Sequence, residues 1–211
     1  REFPVGDLTK NTPFYNFAKG LLPIIFKPLY FYKVKNKNSL PKGQGCVVCC
    51  NHISMKDPVF LGLAQKRMIR YMAKSELFQN KFVSKIISAL GAFPIQRGKH
   101  DEGAINLAEE YLKQGAVVGI FIEGTRSKDG NLLKPKSGAA MLAYKAQVPV
   151  MPVSISTKGG GVLKLFHRVT ISCGQTVTPE ELGITEGTGP QFREASRKIM
   201  ELISALRQQD I

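Results

Sequence analysis

Apolar residues fill most positions of five short stretches, 45–50, 69–73, 117–122, 148–156 and 169–173. All five predict strands, and several are apolar throughout rather than alternating, as expected for strands covered on both faces of a sheet. Between them the apolar residues recur at helical spacing, predicting helices over 58–64, 81–90, 103–114 and 137–146. A last helix, predicted over 190–208, puts Phe192, Ala195, Ile199, Leu202, Ile203 and Leu206 on one stripe, with Arg193, Arg197 and Lys198 mostly outside it. Strand and helix in alternation predict an α/β fold, a largely parallel or mixed central sheet flanked by helices. In such sheets ligands sit at the carboxyl ends of the strands.

The segment before the first strand has a different pattern. From Phe14 to Tyr32 it reads FYNFAKGLLPIIFKPLYFY, apolar but interrupted by Lys19, Pro23, Lys27 and Pro28, with Lys33, Lys35 and Lys37 just beyond. It falls short of the roughly 20 uninterrupted apolar residues that a spanning helix needs. Aromatic and aliphatic side chains beside a basic cluster suit a helical segment lying in the interface of an anionic membrane. The residues expected to face lipid are Phe14, Phe17, Leu21, Leu22, Ile24, Ile25, Phe26, Leu29, Tyr30 and Phe31. The alternative is a helical hairpin packed on the domain. A secretory leader is not expected, because prolines and lysines break any apolar core and no small-residue cleavage site follows. The chain thus divides into an interfacial segment, 1–44, and an α/β domain, 45–211. Arg1, Glu2 and Phe3, which lack an initiator Met, are set aside from fold reasoning.

Charge sharpens this picture. Residues 1–50 hold eight Lys/Arg against Glu2 and Asp7, and residues 51–100 hold nine against Asp57 and Glu76, so this half carries +13 of the net +14. A basic half attracts a polyanion: nucleic acid, anionic lipid or a phosphorylated substrate. The four cysteines, Cys46, Cys49, Cys50 and Cys173, have neither zinc spacing nor a disulfide framework, and predict buried thiols of a cytosolic protein.

Two polar stretches follow predicted strands directly. Asn51-His52-Ile53-Ser54-Met55-Lys56-Asp57 comes after the first, and Asp57-Pro58 reads as a helix start with Asp as N-cap. On a turn, Asp57 is able to fold back on His52; a carboxylate on one imidazole nitrogen leaves the other as a general base. The heptad alone favours the plainer reading, with Asp57 only a cap and His52 only a turn residue. Glu123-Gly124-Thr125-Arg126-Ser127 follows the third strand, with Lys128, Lys134 and Lys136 close behind. Glycine lets backbone N–H groups approach an anion and Arg clamps phosphate oxygens, though a plain polar loop has the same composition. Residues 91–97 form a short apolar run ending in Arg97, an edge strand in its plainest reading. The two prolines of 148–153 predict an edge strand or a cleft wall.

Taken in order, these stretches resemble the glycerolipid acyltransferase family. Asn51, His52 and Asp57 match its Asn-His-x4-Asp block; Phe93, Pro94, Ile95 and Arg97 match a second; Phe121 and 123–127 match a third; Val148, Pro149, Pro152 and Val153 match a fourth. The resemblance covers roughly 45–155 and implies transfer of a fatty acyl group from acyl-CoA or acyl carrier protein to the free hydroxyl of lysophosphatidate. It implies His52 as base, Asp57 as its orienter, and Arg97, Gly124, Thr125 and Arg126 around the acceptor phosphate, with Glu123 ordering that loop. Lys74 matches a position near the reaction centre and is assigned the thioester oxyanion. No metal or other cofactor is implied beyond the acyl-thioester co-substrate. A peripheral or monotopic protein on the cytoplasmic face of an anionic membrane follows from the same reading.

Three rival readings remain at this level. One is an acyltransferase acting on glycerol 3-phosphate or a lyso-aminolipid. Another is a basic nucleic-acid-binding module, against which stands the lack of any recognition-helix or aromatic RNA-binding signature. The last is a catalytically silent membrane scaffold, against which stand intact His52, Asp57 and Glu123.

Overall fold

The computed structural model describes residues 9–37, 39–95 and 102–211. Seven strands form one sheet: β1 (Lys33–Lys35), β2 (Cys46–Cys50), β3 (Ile69–Lys74), β4 (Ala92–Ile95), β5 (Val117–Phe121), β6 (Val150–Thr157) and β7 (Val169–Cys173). Their order is β1-β7-β6-β2-β5-β3-β4. Neighbours are parallel except β6 and β7, which are antiparallel. Among the described residues the sheet is accompanied by six α-helices, α1 (Pro13–Tyr30), α2 (Asp57–Ala64), α3 (Lys81–Ala89), α4 (Glu102–Lys113), α5 (Gly138–Ala146) and α6 (Gly189–Gln208), and by a 3₁₀ helix, Ser75–Phe78.

The central strand explains the layering. All five residues of β2 are buried. Val47 and Cys49 enter the core under α4, α5 and α6, whereas Cys46, Val48 and Cys50 enter the core shared with α1 and α2. A strand sealed on both faces has no use for alternation, hence its unbroken apolar sequence. The four thiols are free and buried, and burial pushes the Cys46 thiol up to about 12.

Each predicted helix and strand lies within two residues of its expected place, with physical reasons for the differences. The 148–153 stretch is not at an edge: β6 lies between β2 and β7. Pro152 is tolerated there because its nitrogen falls just past the β7 ladder, which stops at Val153 opposite Cys173; the Pro152 carbonyl on that side accepts the Gly174 N–H (2.8 Å). Pro94 does lie on an edge strand, β4. Strand β1, with two lysines in three residues, has no counterpart among the predicted elements; it is an edge strand where charged side chains reach solvent.

Helix α1 is one helix, not a hairpin. Thr12 caps it, its hydroxyl accepting the Tyr15 N–H (3.0 Å) and donating to the Ala89 carbonyl (2.7 Å). Pro23 and Pro28 remove backbone bonds within it, and Phe31 closes it in a left-handed conformation (φ 42°). Its apolar residues fall on two faces. Tyr15, Leu22, Phe26, Leu29 and Tyr30 face the protein, and Tyr30 packs edge-on against Phe60 of α2 (ring centroids 5.4 Å apart). Phe14, Phe17, Leu21, Ile24, Ile25 and Phe31 are exposed, Ile24 to 71% and Phe17 to 65%. Leu22, Phe26, Leu29 and Tyr30, expected from the sequence to face lipid, therefore face the protein instead, Tyr30 as a core residue only 2% exposed. No helix among the described residues is long and apolar enough to cross a membrane.

Candidate functional site

Parallel strands end together, and the register of β2 with β5 pairs Cys50 with Phe121. The residues two positions beyond, His52 and Glu123, are thereby brought side by side. Glu123 is buried and uses both oxygens on backbone: one accepts the His52 N–H (2.8 Å), the other the Leu133 N–H (3.0 Å). Ser127 N–H returns the tie by donating to the His52 carbonyl (2.8 Å). Burial pushes the Glu123 carboxyl above its usual range, and the two N–H donors pull it partly back. Glu123, expected from the resemblance to order its loop beside the phosphate-binding residues, holds the two loops together with both oxygens and faces no ligand itself.

The turn after β2 folds Asp57 back. Its Oδ2 lies 2.7 Å from His52 Nδ1 and accepts the N–H groups of Ile53 and Ser54, each at 2.8 Å. Asp57 is wholly buried, and its Oδ1 finds no hydrogen-bond partner among the described residues. Asp57 is not the N-cap of α2 that its sequence position suggests: Lys56 occupies the cap position and Asp57 is the first helical residue, its side chain turned toward the histidine. Asn51, one residue before His52, clips β2 to β6 by exchanging two bonds with Ile155, donating to its carbonyl (2.9 Å) and accepting its N–H (2.8 Å).

His52 is 8% exposed and lies flat on Phe121, ring centroids 4.0 Å apart. Phe121 in turn is near-parallel to Tyr71 (6.3 Å), whose hydroxyl donates to the Pro58 carbonyl (3.2 Å). Gly119 makes this stack possible, because a Cβ there would lie 2.5 Å from Tyr71 Cε1. With Nδ1 engaged by Asp57, Nε2 is left for a proton from a group in the cavity.

That cavity, of about 490 Å³, is walled by Tyr15, Lys19 and Leu22 of α1, by Pro58 and Val59 of α2, and by Tyr71 and Lys74 of β3. Leu77, Ile87, Phe121 and Arg126 complete its sides around His52. Apolar walls suit a hydrocarbon chain, and the cations Lys19, Lys74 and Arg126 suit an anion beside it. Lys19 donates to the Gly62 carbonyl (3.0 Å), and burial, with Lys37 and Lys66 nearby, lowers its pKa to about 8. Nothing in its spacing marks Lys19 as a site residue; it is the polar interruption of an apolar helix.

Of the sequence-predicted residues, His52, Asp57, Lys74 and Arg126 are thus brought to one site. Gly124 (φ 70°) and Thr125 are exposed on the loop that carries Arg126. Arg97 lies outside the described residues, two positions beyond the end of β4. Among the described residues no cluster of His, Cys, Asp or Glu is arranged to hold a metal ion.

Residues 31–156 match the family model described as Acyltransferase. The chain belongs to the acyltransferase family. The match takes in both loops of the site and the strands that carry them. Among relatives, the 1-acyl-sn-glycerol-3-phosphate acyltransferase of Bacillus subtilis is 34% identical over 148 residues, 70% of this chain and 73% of that one. The chloroplastic 1-acyl-sn-glycerol-3-phosphate acyltransferase BAT2 of Brassica napus is 31% identical over 150 residues, 69% of this chain and 43% of that longer protein. The crystal structure of the 1-acyl-sn-glycerophosphate (LPA) acyltransferase PlsC from Thermotoga maritima superposes with a TM-score of 0.71 at 26% identity, covering 91% of this acyltransferase and 76% of that chain.

Proposed function

We propose that the protein transfers a fatty acyl group from an acyl thioester to the sn-2 hydroxyl of 1-acyl-glycerol 3-phosphate, giving phosphatidic acid for phospholipid synthesis. The observation that carries this reading is the His52–Asp57 pair opening onto an apolar cavity with cations in its wall. An alcohol is a poor nucleophile until its proton is taken as it attacks. His52 Nε2 receives that proton, and the hydroxyl oxygen bonds to the thioester carbonyl carbon. The carbon–sulfur bond then breaks, and the departing thiolate takes the proton back from His52. Asp57 holds the imidazole in the required tautomer and stabilises its charged form. The Lys74 ammonium faces the oxyanion of the tetrahedral intermediate. Arg126 and Thr125, with the backbone freed by Gly124 and with Arg97, hold the acceptor phosphate.

The exposed face of α1 gives the reaction its setting. Phe14, Phe17, Leu21, Ile24, Ile25 and Phe31 lie in the interface of an anionic membrane, on its cytoplasmic face, flanked by Lys27, Lys33 and Lys37. Each large apolar side chain withdrawn from water contributes about 1.5–3 kcal/mol, and each nearby lysine about 1 kcal/mol. A peripheral protein held this way meets its lipid acceptor at headgroup depth.

The test is acyl transfer to lysophosphatidate in detergent micelles, with acyl-CoA and with acyl carrier protein as donors, comparing wild type and His52→Ala. Activity lost in a folded His52→Ala protein supports the general-base role, and the donor that works identifies the co-substrate. Undiminished activity in His52→Ala overturns the mechanism. Transfer to glycerol 3-phosphate or a lyso-aminolipid, with none to lysophosphatidate, overturns the acceptor.

A further inference from the structure

The cavity has a second rim, formed by the 3₁₀ helix Ser75–Phe78 and by α3. Its sequence, SELF followed by QN and KFVSKIISA, is amphipathic, and Asn80 caps α3 by accepting the N–H groups of Phe82 and Val83 (3.0 and 3.1 Å). A helix so patterned in a globular protein ordinarily buries its apolar stripe. Neither element buries a single residue. Phe82 is 75% exposed, more than any other large apolar side chain described. Leu77 and Met55, also exposed, line the cavity together with His52.

We propose that this rim is a second membrane-docking element, with Phe82 inserted into an anionic lipid surface alongside α1. The occupant follows from charge: α3 carries Lys81 and Lys85 and no acid, Lys56 and Lys74 are exposed beside Met55 and at the end of β3, and against these four cations the 3₁₀ helix sets one exposed acid, Glu76. Phenylalanine and leucine interspersed with lysine fit the boundary between headgroups and acyl chains, where the rings enter hydrocarbon and the ammonium groups meet phosphate. Thr12 ties the start of α1 to the end of α3, so both rims have one seat. The cavity mouth then opens in the plane of the lipid, and a single-chain lipid enters between α1 and α3 without passing through water. This inference rests on the membrane reading given above and adds a second contact to it.

The chain has no tryptophan, so Phe82→Trp places a lone reporter at the proposed contact. With vesicles of mixed phosphatidylglycerol and phosphatidylcholine, its emission shifts to the blue and is quenched by lipids brominated on their acyl chains. Leu202→Trp, on α6, shows neither effect. Phe82→Asp lowers partition onto the same vesicles by roughly ten-fold, the order expected when one phenyl ring leaves hydrocarbon. It keeps activity toward a short-chain acceptor dissolved as monomers, and circular dichroism confirms its fold. Unshifted emission from the Phe82→Trp protein, with unchanged partition of Phe82→Asp where Phe17→Asp does weaken binding, overturns the second contact and leaves α1 as the membrane element. Wild type that fails to partition at all overturns both.

Discussion

A single oxygen of Asp57, Oδ2, takes the His52 Nδ1 contact at 2.7 Å together with two backbone N–H groups at 2.8 Å. The carboxylate is therefore fixed by the turn before it orients the ring, and the ring has no freedom to present Nδ1 elsewhere. Asp57→Asn keeps an acceptor oxygen at that point but removes the charge that stabilises the imidazolium. The expected outcome is a fall in kcat of about 10²–10⁴-fold, the range of general-base contributions, with little change in KM. Steady-state kinetics check this; a raised KM at unchanged kcat would place Asp57 in binding instead.

Glu123 is the second carboxylate of the site and has a different task, since both its oxygens are spent on backbone donors. Glu123→Gln sets an amide NH2 against one of those N–H groups and leaves a buried donor unpaired. A loss of about 1–3 kcal/mol in stability is expected, measured by urea unfolding. The loops carrying His52 and Arg126 loosen together, so kcat and KM both worsen in the same variant.

Gly119 has a role that activity should reveal. Alanine at this position collides with Tyr71, the outer ring of the stack that backs His52. Overpacking of this kind costs about 1–3 kcal/mol. Gly119→Ala is expected to lower both the unfolding midpoint and kcat, although the residue touches no substrate. Pairing it with Tyr71→Phe, which keeps the ring, leaves the defect in place; pairing it with Tyr71→Ala restores part of the midpoint only, because Ile69 Cγ2 still lies 2.8 Å from the added Cβ.

Lys19 supplies a pH dependence with a definite sign. Its pKa falls from 10.5 to about 8 in the folded protein, chiefly through burial. The native state sheds this proton before the unfolded chain does. Between about 8 and 10.5, the unfolded chain therefore binds more protons, and this group's contribution to stability rises with pH. Lys19→Met removes that slope in urea unfolding followed across the interval. If the ammonium also attracts the acceptor phosphate, wild-type KM climbs as pH passes about 8, while the variant's KM is raised and flat.

The alternation of strands and helices is legible in the sequence because central parallel strands such as β2 are sealed on both faces and read as unbroken apolar runs. The His52–Asp57 pair is legible as a spacing and no more. What settles it is the backbone of the turn, which delivers two N–H groups to Asp57 and so directs its carboxylate. Strand β1 is illegible because an edge strand of three residues tolerates Lys-Val-Lys. The helical stripe of α3 reads as core-facing, since periodicity records amphipathicity and does not say what covers the apolar side. On α1 the apolar residues form two faces, and hydropathy alone does not separate Tyr30, which packs on Phe60, from Ile24, which meets solvent.

Strand β1 pairs with β7 alone, Lys33 opposite Thr170, and Lys35 is held by Asp210 at 2.6 Å. During synthesis the partners of β1 therefore emerge long after β1 itself. At about 5–20 residues per second, the ribosome leaves this unit of helix and strand without its seat in the sheet for roughly ten seconds. Helix α1 gains its inner partners Phe60 and Ala89 sooner, but its outer apolar face stays uncovered throughout that interval. On the membrane reading proposed above, the outer face of α1 can dock on the bilayer before β1 has its place in the sheet, and the order of translation favours a chain that finishes folding at that surface.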